Sequence, residues 1–171
     1  MKHRSIAPGI ALIAALVVGV GFSAPAQAAT AVPAAAAASI TCTINVQNPH
    51  GSTHVSGTVN VVSTVSCTAP VASITQQTAL YKTTGNSWWG TKVTKAATSS
   101  AQSNASASCT VAPGNFYGTA VTSIVWPPGF SGPQPPSAYG NTTAVNCSTA
   151  QIVANSEGII STETVTATLT K

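Results

Sequence analysis

The segment HVSGTVNVVSTVSCT, residues 54–68, decides the fold because its side chains alternate between apolar and polar. Alternation with a period of two is typical of a β-strand that has one face against a core. The apolar residues on one side of this alternation are Val55, Val59, Val61, Val65 and Cys67. The segment therefore predicts a half-buried strand, and Cys67 is expected to point inward.

The residues before this segment repeat the pattern. ITCTINV at 40–46 alternates in the same way with Cys42 on the apolar side, and NPHGST at 48–53 has the composition of a turn. A tight hairpin turning there would place Cys42 near Val59. A bond between Cys42 and Cys67 would therefore need a wider loop or a link between two sheets, and the sequence leaves both open.

The N-terminal end has the three parts of a secretory signal peptide. Basic residues stand at Lys2 and Arg4, an apolar run follows over 10–22, and small residues lead up to Ala28. Glycines interrupt the run, which falls short of the roughly 20 residues of a membrane-spanning helix. We therefore expect residues 1–28 to be removed on export. The mature protein would then lie outside the cell, secreted or held at the cell wall, with no membrane segment.

The mature chain is long enough for one domain with a core of its own. Residues 29–39 are rich in alanine and predict a flexible leader, and residues 40–171 make up the expected domain. In its last part, 148–171, apolar residues alternate with threonine from Val165 onward. This part is expected to be either a last strand or a partly flexible tail.

Four cysteines in an exported chain predict two disulfides, since the compartment is oxidising and the number is even. Three pairings are possible. We expect Cys42 to pair with Cys67 and Cys109 with Cys147, because each bond then cross-links one half of the domain. No two cysteines have the C-x-x-C spacing of a metal site, so no metal is expected.

The composition predicts an all-β fold. Valine, isoleucine and threonine recur throughout, with turn residues between them about every ten positions. About six to eight short strands of this kind are typical of an immunoglobulin-like antiparallel β-sandwich, although the Cys-Trp-Cys spacing of a true immunoglobulin domain is absent. Residues 95–109 are nearly all small and polar and predict a weak edge strand or a loop. The prolines of 127–136 predict an exposed loop.

Two of the three tryptophans stand side by side in GNSWWG, residues 85–90. A two-residue turn at the first two positions would place Trp89 on the inner face of the hairpin and Trp88 on the outer face. Tyr81 and Lys92 would share that outer face. We therefore expect Tyr81, Trp88 and Lys92 to form a ligand-binding surface. The alternative is that both tryptophans are packing residues.

Few side chains could carry catalysis. The chain has no aspartate, and Glu157 and Glu163 lie near its end, where they do not suggest the paired carboxylates of a glycosidase. His50 and His54 lack a third metal ligand and a motif for serine catalysis. The few scattered lysines of the mature part make no nucleic-acid patch. The sequence therefore predicts a protein that is not an enzyme and needs no cofactor.

Two functions of different kinds follow from these observations. The first is an extracellular binding module for a polysaccharide or a protein, in which Tyr81, Trp88 and Lys92 contact the ligand. The second is a structural or envelope-associated protein. It would associate with itself through strand edges and through the proline-rich loop around Trp126 and Phe130.

The segment from Cys109 to Cys147 combines a cysteine, the strand-like Tyr117-Gly118-Thr119-Ala120, the break Pro127-Pro128-Gly129 and a closing cysteine. It resembles a pattern in small two-disulfide secreted proteins of actinobacteria that have no established activity. The resemblance covers this segment together with the leader and the upstream cysteine pair. It implies export and a β-architecture, and it carries over no functional residue. The chain departs from the pattern by continuing past Cys147.

Overall fold

Antiparallel strands dominate the protein in the computed structural model, which describes residues 39–52, 54–147 and 161–170. A 3-10 helix, Cys109–Val111, is the one helical element of these residues. No helix within the described ranges has the length and apolar character needed to cross a membrane. The strands are β1 (Ser39–Val46), β2 (His50–Gly51), β3 (Thr58–Lys82), β4 (Ser87–Trp89), β5 (Val93–Ser108), β6 (Gly114–Val125), β7 (Phe130–Ser131), β8 (Ala138–Tyr139), β9 (Thr143–Val145) and β10 (Ser161–Leu169).

Several sequence predictions fall outside the described residues. They are the signal peptide at 1–28, the flexible leader at 29–39 except for its last residue, and the segment 148–160 with Glu157. The alternating residues from Val165 onward lie within β10, which pairs antiparallel with β1.

The strand β3 organises the sheet because it is 25 residues long and has neighbours on both sides. On one side its first half pairs with β1 and its second half with β6, while β5 follows the other side along both halves. The register with β5 shifts between Ser66 and Val71, which marks an irregularity in the middle of β3. The path of neighbouring strands is β7-β10-β1-β3-β6-β8.

The disulfide between Cys42 and Cys67 lies beside this irregularity. The two residues are directly opposite in the β1–β3 register, with Cα atoms 4.0 Å apart. Of the two arrangements that the sequence left open, the structure therefore has the wider loop, and the bond joins neighbouring strands of one sheet. The second disulfide joins Cys109 to Cys147. Both predicted pairings are confirmed.

The two halves of β3 meet inside the molecule. The Nε2 amide of Gln76, in the second half, donates to the hydroxyl of Ser63, in the first half, at 2.7 Å. The Ser63 hydroxyl also hydrogen-bonds the hydroxyl of Thr78. On β6, a methyl group at Gly118 would come within 2.4 Å of the Cγ2 atom of Val61, so β6 lies directly against the first half of β3. The interior therefore contains a hydrogen-bonded polar cluster among aliphatic side chains.

The predicted all-β antiparallel fold with two disulfides is confirmed. The immunoglobulin-like sandwich stays a prediction, and the described residues hold ten strands, half of which have only two or three residues. Most of 95–109 belongs to β5, which is paired with β3 over nearly its whole length. The proline-rich loop 127–136 contains β7, which pairs with β10.

Candidate functional site

The two adjacent tryptophans lie on opposite faces, but in the reverse of the predicted order. β4 pairs with β3 so that Trp88 is opposite Leu80 and Trp89 is opposite Ala79. Trp89 is 52% exposed, whereas Trp88 is half-buried and packs against the core. The prediction that Trp89 is a core residue and Trp88 an outer one is wrong.

The length of the turn causes this reversal. The main-chain N–H of Lys82 donates to the carbonyl oxygen of Asn86, and Tyr81 pairs with Ser87 instead of Gly90. The turn is therefore longer than two residues, and the strand after it is displaced by an odd number of positions. Because side chains alternate with a period of two, an odd displacement moves each of them to the other face.

Trp89 lines a shallow hollow on the outer face of the second half of β3, together with all three tyrosines of the chain. We call it the aromatic hollow, and its volume is ≈ 280 Å³. Four of the nine aromatic side chains of the protein thus meet in one place. The lining residues are Tyr81, Trp89, Tyr117, Thr119, Val121, Ser137 and Tyr139.

The register of four neighbouring strands explains why these rings converge. Tyr81 on β3 and Tyr117 on β6 are directly opposite each other. Two residues before Tyr81, Ala79 pairs with Trp89 of β4 on one side and with Thr119 of β6 on the other. Thr119 in turn pairs with Tyr139 of β8. Ala79 and Thr119 are small and buried. The four aromatic rings therefore project further from the sheet than Ala79 and Thr119, which form the floor of the hollow.

The rings present two surfaces at a steep angle. Tyr81 and Tyr117 are stacked, with ring centroids 5.1 Å apart and planes 8° from parallel. The indole of Trp89 lies 6.2 Å from the ring of Tyr81, and the two planes are 76° apart. A flat group lying on the indole would therefore meet the tyrosine pair with its edge.

The polar atoms of the aromatic hollow are available to a ligand. The hydroxyl groups of the tyrosines and the indole N–H of Trp89 make no hydrogen bond to another described residue. Trp126 shows the opposite arrangement, because its indole N–H donates to the carbonyl oxygen of Gly132 at 3.1 Å. Buried polar groups of tyrosine and tryptophan usually have a partner, so unpaired ones at a surface indicate contact with water or a ligand.

Of the three predicted ligand-binding residues, the structure places only Tyr81 in the aromatic hollow. Trp88 faces inward with its ring 6.4 Å from that of the fully buried Phe116. Lys92 is exposed and does not line the hollow. The expected surface of Tyr81, Trp88 and Lys92 therefore does not form.

The predicted interaction loop is held against the rest of the fold. Trp126 and Phe130 are half-buried and pack against the core. Phe130 also pairs with Leu169 where β7 meets β10. Both side chains thus contribute to packing at the end of the sheet.

Trp89, Tyr117 and Tyr139 were not predicted from the sequence, although the alternation of side chains contains a signal for the first two. In β6, Phe116 and Ile124 lie on the inner side of the alternation, which leaves Tyr117 on the outer side. A turn of another length would have moved Trp89 outward. Tyr139 belongs to a strand of two residues that follows a proline-rich loop, and no periodic signal marks it.

A second hollow, of ≈ 270 Å³, lies on the outer face of the first half of β3. We call it the polar hollow. The Ser52 hydroxyl accepts the main-chain N–H groups of His54 and Val55, which holds the turn at its rim. The Oδ1 atom of Asn60 is buried and has no hydrogen-bond partner among the described residues. The lining residues are Ser52, His54, Val55, Thr58, Asn60, Val62, Gln102, Asn104 and Ser106.

Neither hollow has the side chains of a metal site. Within the described part of the chain, no cluster of three His, Cys, Asp or Glu residues could hold an ion. Comparison of the chain with protein-family models, with curated proteins and with solved structures found no match. The function is therefore inferred from the geometry of the site alone.

Proposed function

We propose that the protein is a non-enzymatic binding module that acts outside the cell and holds a polysaccharide or protein ligand in the aromatic hollow. The observation that carries the proposal is the exposure of Trp89 and Tyr139, which are 52% and 63% exposed at opposite ends of the hollow. Single exposed apolar side chains are ordinary on protein surfaces, but a contiguous group is typical of a binding site.

The lining of the aromatic hollow favours binding over catalysis. General acid–base catalysis needs titratable groups placed beside the reacting atoms. None of the residues that line the hollow carries a carboxylate, an imidazole, a thiol or an ammonium group. Aromatic rings, in contrast, offer a large contact area and lose little conformational entropy on binding.

The two disulfides support a location outside the cell. Such bonds persist in oxidising compartments and are rare in the cytosol, where thiols are kept reduced. Each one bridges a long segment, with sequence separations of 25 and 38 residues. By the chain-entropy estimate, such cross-links stabilise the fold by constraining the unfolded chain, and they need no charged residues to do so.

The proposal is tested by retention of ligands on the immobilised full chain. Cell-wall material, purified polysaccharides and extracellular proteins are passed over the wild type, the Trp89→Ala variant and a matched control. The control is Val125→Ala, because Val125 is 54% exposed on the same strand as Tyr117 and does not line the hollow. We expect at least one ligand to be retained by the wild type and by the control and to be lost by Trp89→Ala.

Tyr139→Ala is tested in the same way, and unfolding curves of all four proteins check that the variants are folded. The proposal would be overturned if Trp89→Ala and Tyr139→Ala both kept every ligand that the wild type retains.

Self-association, the other function considered, has less support. A methyl group at Gly90 would come within 1.8 Å of the main-chain carbonyl oxygen of Asn104, so the chain before β5 lies against the middle of β5. This contact shields part of the strand edge that would otherwise invite pairing with another chain. Trp126 and Phe130 are also occupied with packing. Sedimentation velocity over a range of concentrations should therefore show a monomer.

A further inference from the structure

We infer that the ligand of the aromatic hollow is an uncharged polysaccharide that crosses the strands from Trp89 to Tyr139. The inference rests on the proposed function and narrows it to one class of ligand. Three properties of the hollow support it: its lack of charge, the position of its floor within the sheet, and the angle between its rings.

The lack of charge excludes acidic partners. None of the seven lining residues is charged. Nucleic acids and acidic polymers depend on Lys or Arg to neutralise their charge. Lys82 belongs to the neighbouring part of β3, but its ammonium group donates to the carbonyl oxygen of Val111 and lies over the ring of Phe116, on the opposite face. The hollow thus offers stacking surfaces without a cation.

The floor of the hollow disfavours an extended peptide. Peptides commonly bind by adding a strand to a free sheet edge, where main-chain groups are unpaired. Ala79 lies on β3 between β4 and β6, and Thr119 lies on β6 between β3 and β8. The main-chain groups at the floor are therefore surrounded by paired strands. A ligand must bind through side chains alone.

The angle between the rings fits a sugar. A pyranose ring has apolar C–H groups on its faces and hydroxyl groups around its rim. Lying on the indole of Trp89, it would direct its rim toward the stacked pair of Tyr81 and Tyr117, because the planes are 76° apart. The tyrosine hydroxyls make no hydrogen bond to another described residue, so they can donate to and accept from sugar hydroxyls. Such neutral hydrogen bonds give orientation, and the stacking removes apolar surface from water.

The direction follows from the row of Trp89, Ala79, Thr119 and Tyr139, which crosses four strands. Three spacings of about 4.8 Å between strands give roughly 14 Å, enough for about three pyranose rings. A chain of sugars lying across the strands would therefore reach an exposed aromatic ring at each end.

The test uses the full chain and soluble derivatives of four polysaccharides: cellulose, mannan, xylan and β-1,3-glucan. Each is prepared in a hydroxyethyl form, which is uncharged, and in a carboxymethyl form, which is acidic. Affinity electrophoresis measures binding, and calorimetry with oligosaccharides of two to six units measures the length of the site. We expect at least one hydroxyethyl polymer to bind and its carboxymethyl form to bind at least tenfold more weakly. Affinity should rise up to about three or four sugar units and then stay constant.

Two variants separate the contributions of stacking and of hydroxyl groups. Trp89→Ala should weaken binding at least tenfold, which corresponds to about 1.4 kcal/mol. Tyr117→Phe keeps the stacked ring and removes one hydroxyl, so a smaller loss, about threefold to tenfold, is expected. Val125→Ala is the control and should bind as the wild type does.

The outcomes distinguish this inference from the proposed function. If no uncharged polymer binds but a protein ligand is lost on Trp89→Ala, the polysaccharide inference is overturned and the binding module stands. If a carboxymethyl form binds as well as its uncharged counterpart, the inference of an uncharged ligand is also overturned. If Trp89→Ala and Tyr139→Ala leave every ligand bound, both proposals fail.

Discussion

The aromatic hollow and the polar hollow lie on the outer faces of the two halves of one strand, and they differ in chemistry rather than in size. Their volumes are ≈ 280 Å³ and ≈ 270 Å³. The first is lined by four aromatic rings. The second is lined mainly by amides and hydroxyls, with Val55 and Val62 as its aliphatic members. The space on a sheet surface is thus similar in both halves, and the side chains decide what that space can bind.

The inner faces of the two halves differ far less than the outer ones. Val61 and Val65 in the first half and Ile74 and Leu80 in the second are all fully buried or nearly so. Inner positions must fill the core, which limits their chemistry to aliphatic groups and a few hydrogen-bonded polar ones. Outer positions are free of that requirement. The binding function proposed for the protein would therefore depend on the outer positions of β3.

We expect the greatest loss of stability when the disulfide between Cys42 and Cys67, beside the irregularity in β3, is removed. The double variant Cys42→Ser and Cys67→Ser removes a cross-link that spans 25 residues. By the chain-entropy estimate this should lower the free energy of unfolding by about 3 to 4 kcal/mol. Urea unfolding of the wild type and of the variant measures the difference.

The wild type in reductant is the matched control for this double variant. With both disulfides open it should lose more stability than the variant does, because the second bond spans 38 residues. A loss below about 1 kcal/mol in the variant would contradict the prediction. It would mean that strand pairing and the core alone hold the two halves of β3 together.

The adjacent tryptophans provide a smaller and more local test. Trp88→Ala removes a half-buried ring that packs near Phe116, so it should lower the free energy of unfolding by about 2 to 3 kcal/mol. Trp89→Ala removes a ring that is 52% exposed and should cost less than about 1 kcal/mol. Thermal and urea unfolding of the two variants measure both values. Equal losses would show that Trp89 is also a packing residue.

The sequence allowed the strands with regular alternation to be predicted. Residues 40–46 and 59–67 behave as expected, because each must turn its apolar side toward the core. Val55, which was placed on the same side as Val59, lies before β3 and is exposed, because the turn there ends the alternation. Two disulfides were expected from the even number of cysteines, and the pairing that the structure has is the expected one of three possible pairings. These features depend on the local alternation of side chains and on the number of cysteines. Both are visible in a single chain.

Features that depend on register could not be predicted in the same way. The facing of Trp88 and Trp89 was wrong because one assumption about turn length reverses every position after it. β5 was underestimated because its small polar residues have little strand preference of their own, and long pairing with β3 compensates for this. The aromatic hollow needs the correct register of four strands at once. Only its first member, Tyr81, was therefore identified.

A change at Asn60 in the polar hollow is expected to alter the free energy of unfolding by the least. The Oδ1 atom of Asn60 is buried with no hydrogen bond to a described residue, a situation that costs stability. Asn60→Val removes this acceptor and introduces a residue that favours strands. We expect the free energy of unfolding to rise by up to about 1 kcal/mol. Asn104→Val is the control, since Asn104 lines the same hollow but is exposed, and it should gain only the part due to strand preference.

Whether Asn60→Val raises or lowers the free energy of unfolding shows how the polar hollow differs from the aromatic hollow. If Asn60→Val gains stability over the control, the polar hollow carries a buried acceptor at a cost to the fold, as functional sites often do. If Asn60→Val loses stability instead, the Oδ1 atom must be satisfied by ordered water within the hollow, since water commonly pairs such groups. In that case the polar groups of the polar hollow would already be hydrogen-bonded to water and would gain little from a ligand. The aromatic hollow, with its exposed rings, would remain the surface of β3 that gains most from a ligand.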